Sequence, residues 1–166
     1  MIEEAHGRYM ATITDLQPHV ARLRERIGMT GPRITRNIEA GSLIKFARAT
    51  GQTDALYLDE AAAARGPYGA IIASPTYVSI FCHDTLANLI SFDLPLSMFL
   101  HTDDVVELGP PIRAGDTIEA VARYADAYLR DGRNGPLLFQ IAEVTLTNQH
   151  AARVATVRVG AVSFDS

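Results

Sequence analysis

Apolar positions along this chain recur at two spacings, and the change between them divides the sequence. From residue 42 to residue 90 they fall mainly at helical intervals. From residue 99 onward they alternate, with β-branched and aromatic residues frequent. Upstream, residues 33–39 predict a strand with Ile34 and Ile38 on one face. Residues 20–27 predict a short helix inside an N-terminal extension covering 1–30. Gly41-Ser42 opens a helix with Ser42 as N-cap. Leu43, Ile44, Phe46, Ala47 and Thr50 form one stripe, and Gly51 stops it. Residues 52–58 predict a loop. Asp59 caps a short helix over 61–64, which Gly66-Pro67 ends.

Ser74-Pro75 carries the next start signal, with Ser74 as N-cap and Pro75 at the first helical position. From Tyr77 to Ile90 the apolar residues cover most of a helix's circumference, which predicts a buried helix over 74–90 at the centre of the core. Strands are predicted at 99–107, 117–130, 137–147 and 153–164. Residues 113–116, 131–135 and 148–152 supply turns. The layout is α+β: an antiparallel sheet wrapped around one apolar helix, in a single domain spanning 31–166.

Composition narrows the function classes. The chain has 166 residues, 48% hydrophobic and 20% charged, which suits a soluble globular domain. Its formal net charge is −4 with no basic block, which disfavours a nucleic-acid surface. The single cysteine, Cys82, allows neither an internal disulfide nor a structural zinc site and suits a reducing cytoplasm. The acidic start, with Met1 and His6 among its residues, lacks the apolar core of a signal peptide. Residues 71–96 come closest to a membrane span, but His83, Asp84, Asn88 and Asp93 interrupt them. A cytoplasmic protein is the expectation.

Three segments make the reading more specific. They are Phe46 to Asp59, with Gly51-Gln52-Thr53-Asp54-Ala55-Leu56-Tyr57 at its centre; Tyr68-Gly69-Ala70-Ile71-Ile72-Ala73-Ser74-Pro75-Thr76; and Pro111-Ile112-Arg113-Ala114-Gly115-Asp116-Thr117-Ile118. In this order they resemble the MaoC-like acyl dehydratases of the hot-dog fold, and more closely the N-terminal-half, FAS1-like dehydratase type. The resemblance runs from about residue 27 to 162. It implies an acyl thioester on coenzyme A or acyl carrier protein as ligand, (R)-specific hydration or dehydration between the second and third carbons, and no metal or cofactor. In the family an aspartate and a histidine follow the first core helix, and backbone N–H groups at the start of the central helix polarise the thioester carbonyl. Here Gln52 stands at the aspartate position and Tyr57 at the histidine position. Glutamine is no general base, and tyrosine is a poor one near neutrality. The resemblance therefore implies the non-catalytic half of a hetero-oligomer whose partner carries the dyad. A homodimer is the other arrangement considered.

The substrate-binding residues expected on this basis are Gln52, Tyr57, Tyr68, Gly69, Ile72, Ala73, Ser74 and Pro75. No catalytic dyad is intact. Gln52, Asp54, Tyr57 and His101 are the candidates for altered chemistry, such as thioester hydrolysis or a step in specialised metabolism, by a self-sufficient enzyme. A non-enzymatic acyl-binding protein is the third reading. Asp54 reads more readily as turn chemistry than as a replacement carboxylate. Cys82, His83 and Asp84 are adjacent on a helix and do not face one another. Strand alternation puts His101 and Asp103 on one face and Asp104 on the other, which argues against a metal site. Arg113, Arg130 and Arg133 read as surface turn charges.

Overall fold

A computed structural model of the chain describes residues 11–87 and 89–165. Met1, His6 and Asn88, used in the sequence reading, lie outside the described residues. The first helix, α1, spans Ile13–Arg24 rather than 20–27. Thr12 and Asp15 form a reciprocal capping box: the Asp15 N–H donates to Thr12 Oγ1 at 3.3 Å, and the Thr12 N–H donates to Asp15 Oδ2 at 2.9 Å. Leu16, Val20 and Leu23 fall at helical spacing and are buried, and α1 packs on the sheet. Pro18 lies inside this helix.

Strand β1 (Ile34–Asn37) leads into α2 (Ala40–Ala49). Its N-cap is Glu39, not the expected Ser42, whose hydroxyl instead donates to the Glu39 carbonyl at 2.8 Å. The predicted loop over 52–58 contains a further helical turn, α3 (Ala55–Leu58), because Asp54 caps it by accepting from the Leu56 N–H at 2.8 Å. Asp59 repeats the device for α4 (Glu60–Arg65), accepting from Ala62 N–H at 2.9 Å.

The central segment is shorter and tighter than the helix predicted over 74–90. Pro75–Phe81 is a 3-10 helix, and Cys82–Thr85 adds one α-helical turn, α5. Two features account for the difference. Five of the seven residues of the 3-10 stretch are aromatic or β-branched and lose rotamer freedom in an α-helix. At the other end, Thr85 Oγ1 bonds back to the carbonyls of Phe81 (2.8 Å) and Cys82 (3.1 Å), an arrangement that bends helices. Beyond it, the buried Gln140 side chain accepts from the Ser91 N–H at 2.9 Å and donates to the Ser91 carbonyl at 2.8 Å. This pins the chain to the sheet. Tyr77, Val78, Phe81, Cys82 and Thr85 remain buried as expected.

Four long strands complete the sheet: β2 (Met98–Leu108), β3 (Thr117–Gly132), β4 (Gly135–Asn148) and β5 (Arg153–Phe164). All pairings are antiparallel, in the order β1-β3-β4-β5-β2. Alternate residues of β3, β4 and β5, including Ile118, Ala120, Ala122, Val144, Leu146 and Val157, join Phe81 and Tyr77 in one core. This is the sheet-around-a-helix arrangement the sequence predicts. Strand β2 pairs only with β5, and most of its residues are exposed. Among the described residues, no helix is long and apolar enough to cross a membrane.

Candidate functional site

The second and third of the three sequence segments are joined by backbone hydrogen bonds. The Ala73 N–H donates to the Ile112 carbonyl at 2.8 Å, the Ala114 N–H donates to the Ile71 carbonyl at 2.9 Å, and Ile72 bridges Arg113. Between them lies a cleft of about 180 Å³. One wall is made by Tyr57, Tyr68, Ile72, Ala73, Ser74 and Pro75. The other runs from Leu108 through Gly109, Pro110 and Pro111 to Ile112, and Val78 and Val154 complete it.

Tyr57 reaches the cleft because α3 follows so closely on α2. Gly51, at φ +76°, turns the chain after α2. The Tyr77 ring ties α2 to the central segment: it packs edge-on against Phe46 at 5.2 Å between ring centroids, and its hydroxyl lies 3.1 Å from Ser42 Oγ.

Ser74 is the feature of this cleft that packing alone does not explain. The residue is 2% exposed, it precedes the 3-10 helix, and its hydroxyl makes no capping bond. Among the described residues, its Oγ is the buried side-chain polar atom left without a hydrogen-bond partner. Buried hydroxyls are nearly always paired, so an unpartnered one on a cleft wall suits a ligand's polar atom. Apart from tyrosine hydroxyls, the cleft lining holds no side chain that exchanges protons: no carboxylate, imidazole or thiol.

The other sequence candidates stand elsewhere. Gln52 is half-buried behind α2, where its N–H donates to the Ala47 carbonyl at 2.9 Å, and it does not line the cleft. Gly69 is exposed at φ +71° in the turn before the wall and is outside the lining. Asp54 is exposed and serves as the cap of α3. His101 sits on β2 at a second cleft, together with His83, Phe92 and Phe99. There the alternation reading fails. The β2–β5 register shifts between His101 and Asp104, and this bulge brings the two to one side, with His101 Nε2 2.9 Å from Asp104 Oδ1. Cys82 is buried, and its thiol is pushed up to about 11, first by burial and then by the charge of Asp104, which leaves little thiolate near neutrality. His83 points its side chain into solvent. Arg130 lies over the Tyr128 and Phe139 rings, at 5.3 and 5.6 Å from their centroids. Among the described residues, no group of three or more His, Cys, Asp or Glu is placed to hold a metal ion.

Pro111 and Ile112 open the third sequence segment, but Gly109 and Pro110 of this wall are not singled out by the sequence. In sequence, Gly109-Pro110-Pro111 marks only a strand end. Its spatial reason is a close approach: a Cβ on Gly109 would stand 2.3 Å from the Arg153 carbonyl oxygen.

Comparison with known proteins identifies the fold and the family. Two curated proteins named only as UPF0336 proteins, from two strains of Tropheryma whipplei, are each 29% identical over 116 residues, covering 69% of this chain and 80% of theirs. The truncated HadBC (3R-hydroxyacyl-ACP dehydratase) complex from Mycobacterium tuberculosis superposes with a TM-score of 0.67 at 22% identity, over 82% of this chain and 96% of that one. A MaoC-like dehydratase from Rhodospirillum rubrum gives 0.61 at 19% identity, over 83% and 92%. The ChsH1-ChsH2 complex from Mycobacterium tuberculosis gives 0.63 at 16%, over 83% and 97%. These structures share the hot-dog fold. The family model described as "FAS1-like, dehydratase domain region" matches residues 25–157, most of the chain, and the protein belongs to that family, with the hot-dog fold of these neighbours.

Proposed function

We propose that this chain is the non-catalytic, substrate-shaping subunit of an (R)-specific enoyl-thioester hydratase or 3-hydroxyacyl-thioester dehydratase. The observation that carries the reading is the composition of the cleft. It lies at the start of the central segment, where the family resemblance implies the thioester carbonyl, it offers hydrogen-bonding groups at Tyr57, Tyr68 and Ser74, and it holds no carboxylate or imidazole. Such a cleft positions an acyl thioester of coenzyme A or acyl carrier protein but supplies no general base near neutrality. Ser74 and the two tyrosines fix the polar end, and Ile72, Val78 and Val154 exclude water from the acyl side.

The aspartate and histidine then come from a partner, a second MaoC-like subunit. Two structural neighbours are named as two-component complexes, HadBC and ChsH1-ChsH2. Strand β2 supports the same reading. It is a long, open edge with Leu100, Val105, Val106 and Leu108 exposed, and such an edge is suited to a strand from another subunit.

The test is hydration of an enoyl thioester, followed as loss of the conjugated-thioester absorbance. The chain is assayed alone and after co-expression with a MaoC-like subunit that carries the dyad. Turnover that needs both chains, and falls when Tyr57 or Ser74 of this chain is replaced, is expected. Turnover by this chain alone overturns the silent-subunit reading. No turnover in either case overturns the dehydratase role and favours a binding protein.

A further inference from the structure

A bulge in β3 decides which way the last residues of that strand face. Its pairing with β4 shifts between Tyr124 and Asp126. Before the shift the even-numbered Ala120, Ala122 and Tyr124 point into the core, and beyond it the odd-numbered Ala127 and Leu129 do. Asp126, Tyr128 and Arg130 are thereby turned to the opposite, outer face of the sheet. The register sets them beside Ile141, Phe139 and Leu137 of β4, and Val162 of β5 stands next to Phe139. The Tyr128 and Phe139 rings stack at 5.0 Å between centroids with 13° between their planes, and the Arg130 guanidinium lies over both. Ile141 and Val162 form a buried floor, while Tyr128, Leu137 and Phe139 are only half-buried. An apolar, aromatic patch with an arginine on it has the composition of a protein contact.

The charges at the two ends of the patch select what fits it. Asp126 and Arg130 flank Tyr128 on one strand, each two residues or about 7 Å away, so they are too far apart to pair with one another. Among the described residues Arg130 has no carboxylate partner. Asp126 meets Arg24 at 3.7 Å and accepts from the Ala127 N–H at 2.8 Å, both through Oδ1, which leaves Oδ2 for another donor. A two-fold axis running across the strands at the Tyr128–Phe139 row exchanges the two ends. It sets Arg130 of each copy against Asp126 of the other, Leu137 against Ile141, and the ring pair against its own copy. Sheets packed face to face keep their strands within about 30° of alignment, which moves a residue about 7 Å from the axis by about 4 Å, within an arginine's reach. The patch is therefore complementary to itself.

We infer that the outer face of the sheet around Tyr128 and Phe139 binds a second copy of this chain, in a symmetric back-to-back contact closed by two Arg130–Asp126 ion pairs. The contact goes beyond the proposed subunit role and does not depend on it. Strand β3 stands three places from the β2 edge. A partner added along β2 leaves this face open, and the contact then joins two such pairs into an assembly of four chains.

The experiment is sedimentation of the purified full chain alone, from micromolar to submillimolar concentration, so its outcome is independent of any catalytic partner and of thioester turnover. A monomer–dimer equilibrium is expected. Arg130→Glu and Asp126→Lys each place like charges together at both ends of the contact and should weaken the dimer by about tenfold or more. An equimolar mixture of the two variants regains an opposite-charge pair at each end and should associate about as tightly as the unmodified chain. Altered folding of either variant cannot produce that recovery, and circular dichroism confirms that both are folded before they are mixed. Arg130 is exposed, so its variant tests the contact without disturbing the bulge. Val105→Lys, on the β2 edge, should leave the dimer unchanged. A chain that stays monomeric throughout overturns the inference. So does a dimer that tolerates both charge reversals, or a mixture of the folded variants that associates no better than either alone. Loss of the dimer in Val105→Lys places the contact on the β2 edge and overturns it too.

Discussion

Ala73 and Ile112 are joined by a 2.8 Å backbone hydrogen bond, and that bond makes two distant stretches of sequence into the walls of one cleft. It sets the turn before the central segment against the chain leaving β2. The cleft is therefore anchored to backbone on both sides. Ser74, one residue on, is held in place by this pairing rather than by a bond of its own hydroxyl. A group fixed by backbone and left unpaired is pre-organised for a ligand.

Replacing Ser74 with alanine separates ligand binding from stability. Removing a buried hydroxyl that has no partner should stabilise the isolated fold by up to about 1 kcal/mol. For a domain of this size that raises Tm by about 2–4 °C. Thioester binding should weaken in the same variant, because the ligand loses its partner. Scanning calorimetry and titration with a non-hydrolysable acyl-thioester analogue check both halves. A fall in Tm would mean that the hydroxyl is paired within the fold.

Leu16→Ala tests whether the chain before β1 is part of the domain. Leu16 is fully buried at 0% exposure, on the face of α1 turned to the core. Truncating a buried leucine costs about 2–5 kcal/mol. Denaturant unfolding should show a loss in that range with one cooperative transition. A loss under about 0.5 kcal/mol, the level of ordinary surface substitutions, would mean that α1 is only laid on the surface.

The sequence made the strands legible and the irregularities not. Strands β3, β4 and β5 follow from two-residue alternation and β-branched residues, and the β3–β4 turn follows from its glycines, because these signals are local. Helix α1 is obscured by Pro18, which breaks the apparent pattern of Leu16, Val20 and Leu23. The central segment is cut short by the Thr85 back-bonds and by Gln140, a residue 49 positions from Ser91, which no local pattern reveals. In the candidate site, the Tyr68–Pro75 wall is legible from its Ser-Pro start signal and from the family resemblance. On the other wall, Pro111 and Ile112 belong to the third sequence segment, but Gly109 and Pro110 are not legible, since the close approach of Gly109 to Arg153 appears only in the fold. The His101–Asp104 pair escapes for the same reason: alternation assigns opposite faces, and only the paired strand reveals the bulge.

Stability at alkaline pH should fall in two steps with identified owners. Burial pushes the Cys82 thiol from 9.0 to about 11, with the Asp104 charge adding to it. Burial likewise pushes the Tyr124 hydroxyl from 10.0 to about 12, against the opposing pull of Arg26. Both groups bind their protons more tightly when folded, so their contribution is complete below the unfolded values. It is lost for Cys82 as pH rises from about 9 to about 11, and for Tyr124 from about 10 to about 12. Cys82→Ala should flatten the first part of the profile, and Tyr124→Phe the second. Denaturant midpoints measured between pH 8 and pH 11.5 test this, and superimposable slopes for all three proteins would refute it.

The open edge of β2 gives the most direct handle on assembly. The strand is paired on one side only, by β5, and Val105 and Val106 are 52% and 39% exposed with neighbours Leu100 and Leu108 also uncovered. Lysine at an edge opposes strand addition because a second strand would have to bury its charge. The same substitution costs the isolated fold little, since surface changes away from special features usually lie within about 0.5 kcal/mol. Val105→Lys should therefore leave thermal unfolding of the monomer nearly unchanged. Sedimentation should show the assembly with a MaoC-like partner weakened by tenfold or more, an effect of about 1.4 kcal/mol or greater. If the assembly forms with undiminished affinity, the partner docks on another face. Substitution at exposed positions of β1 is then the next measurement, because that four-residue strand is the opposite edge of the sheet.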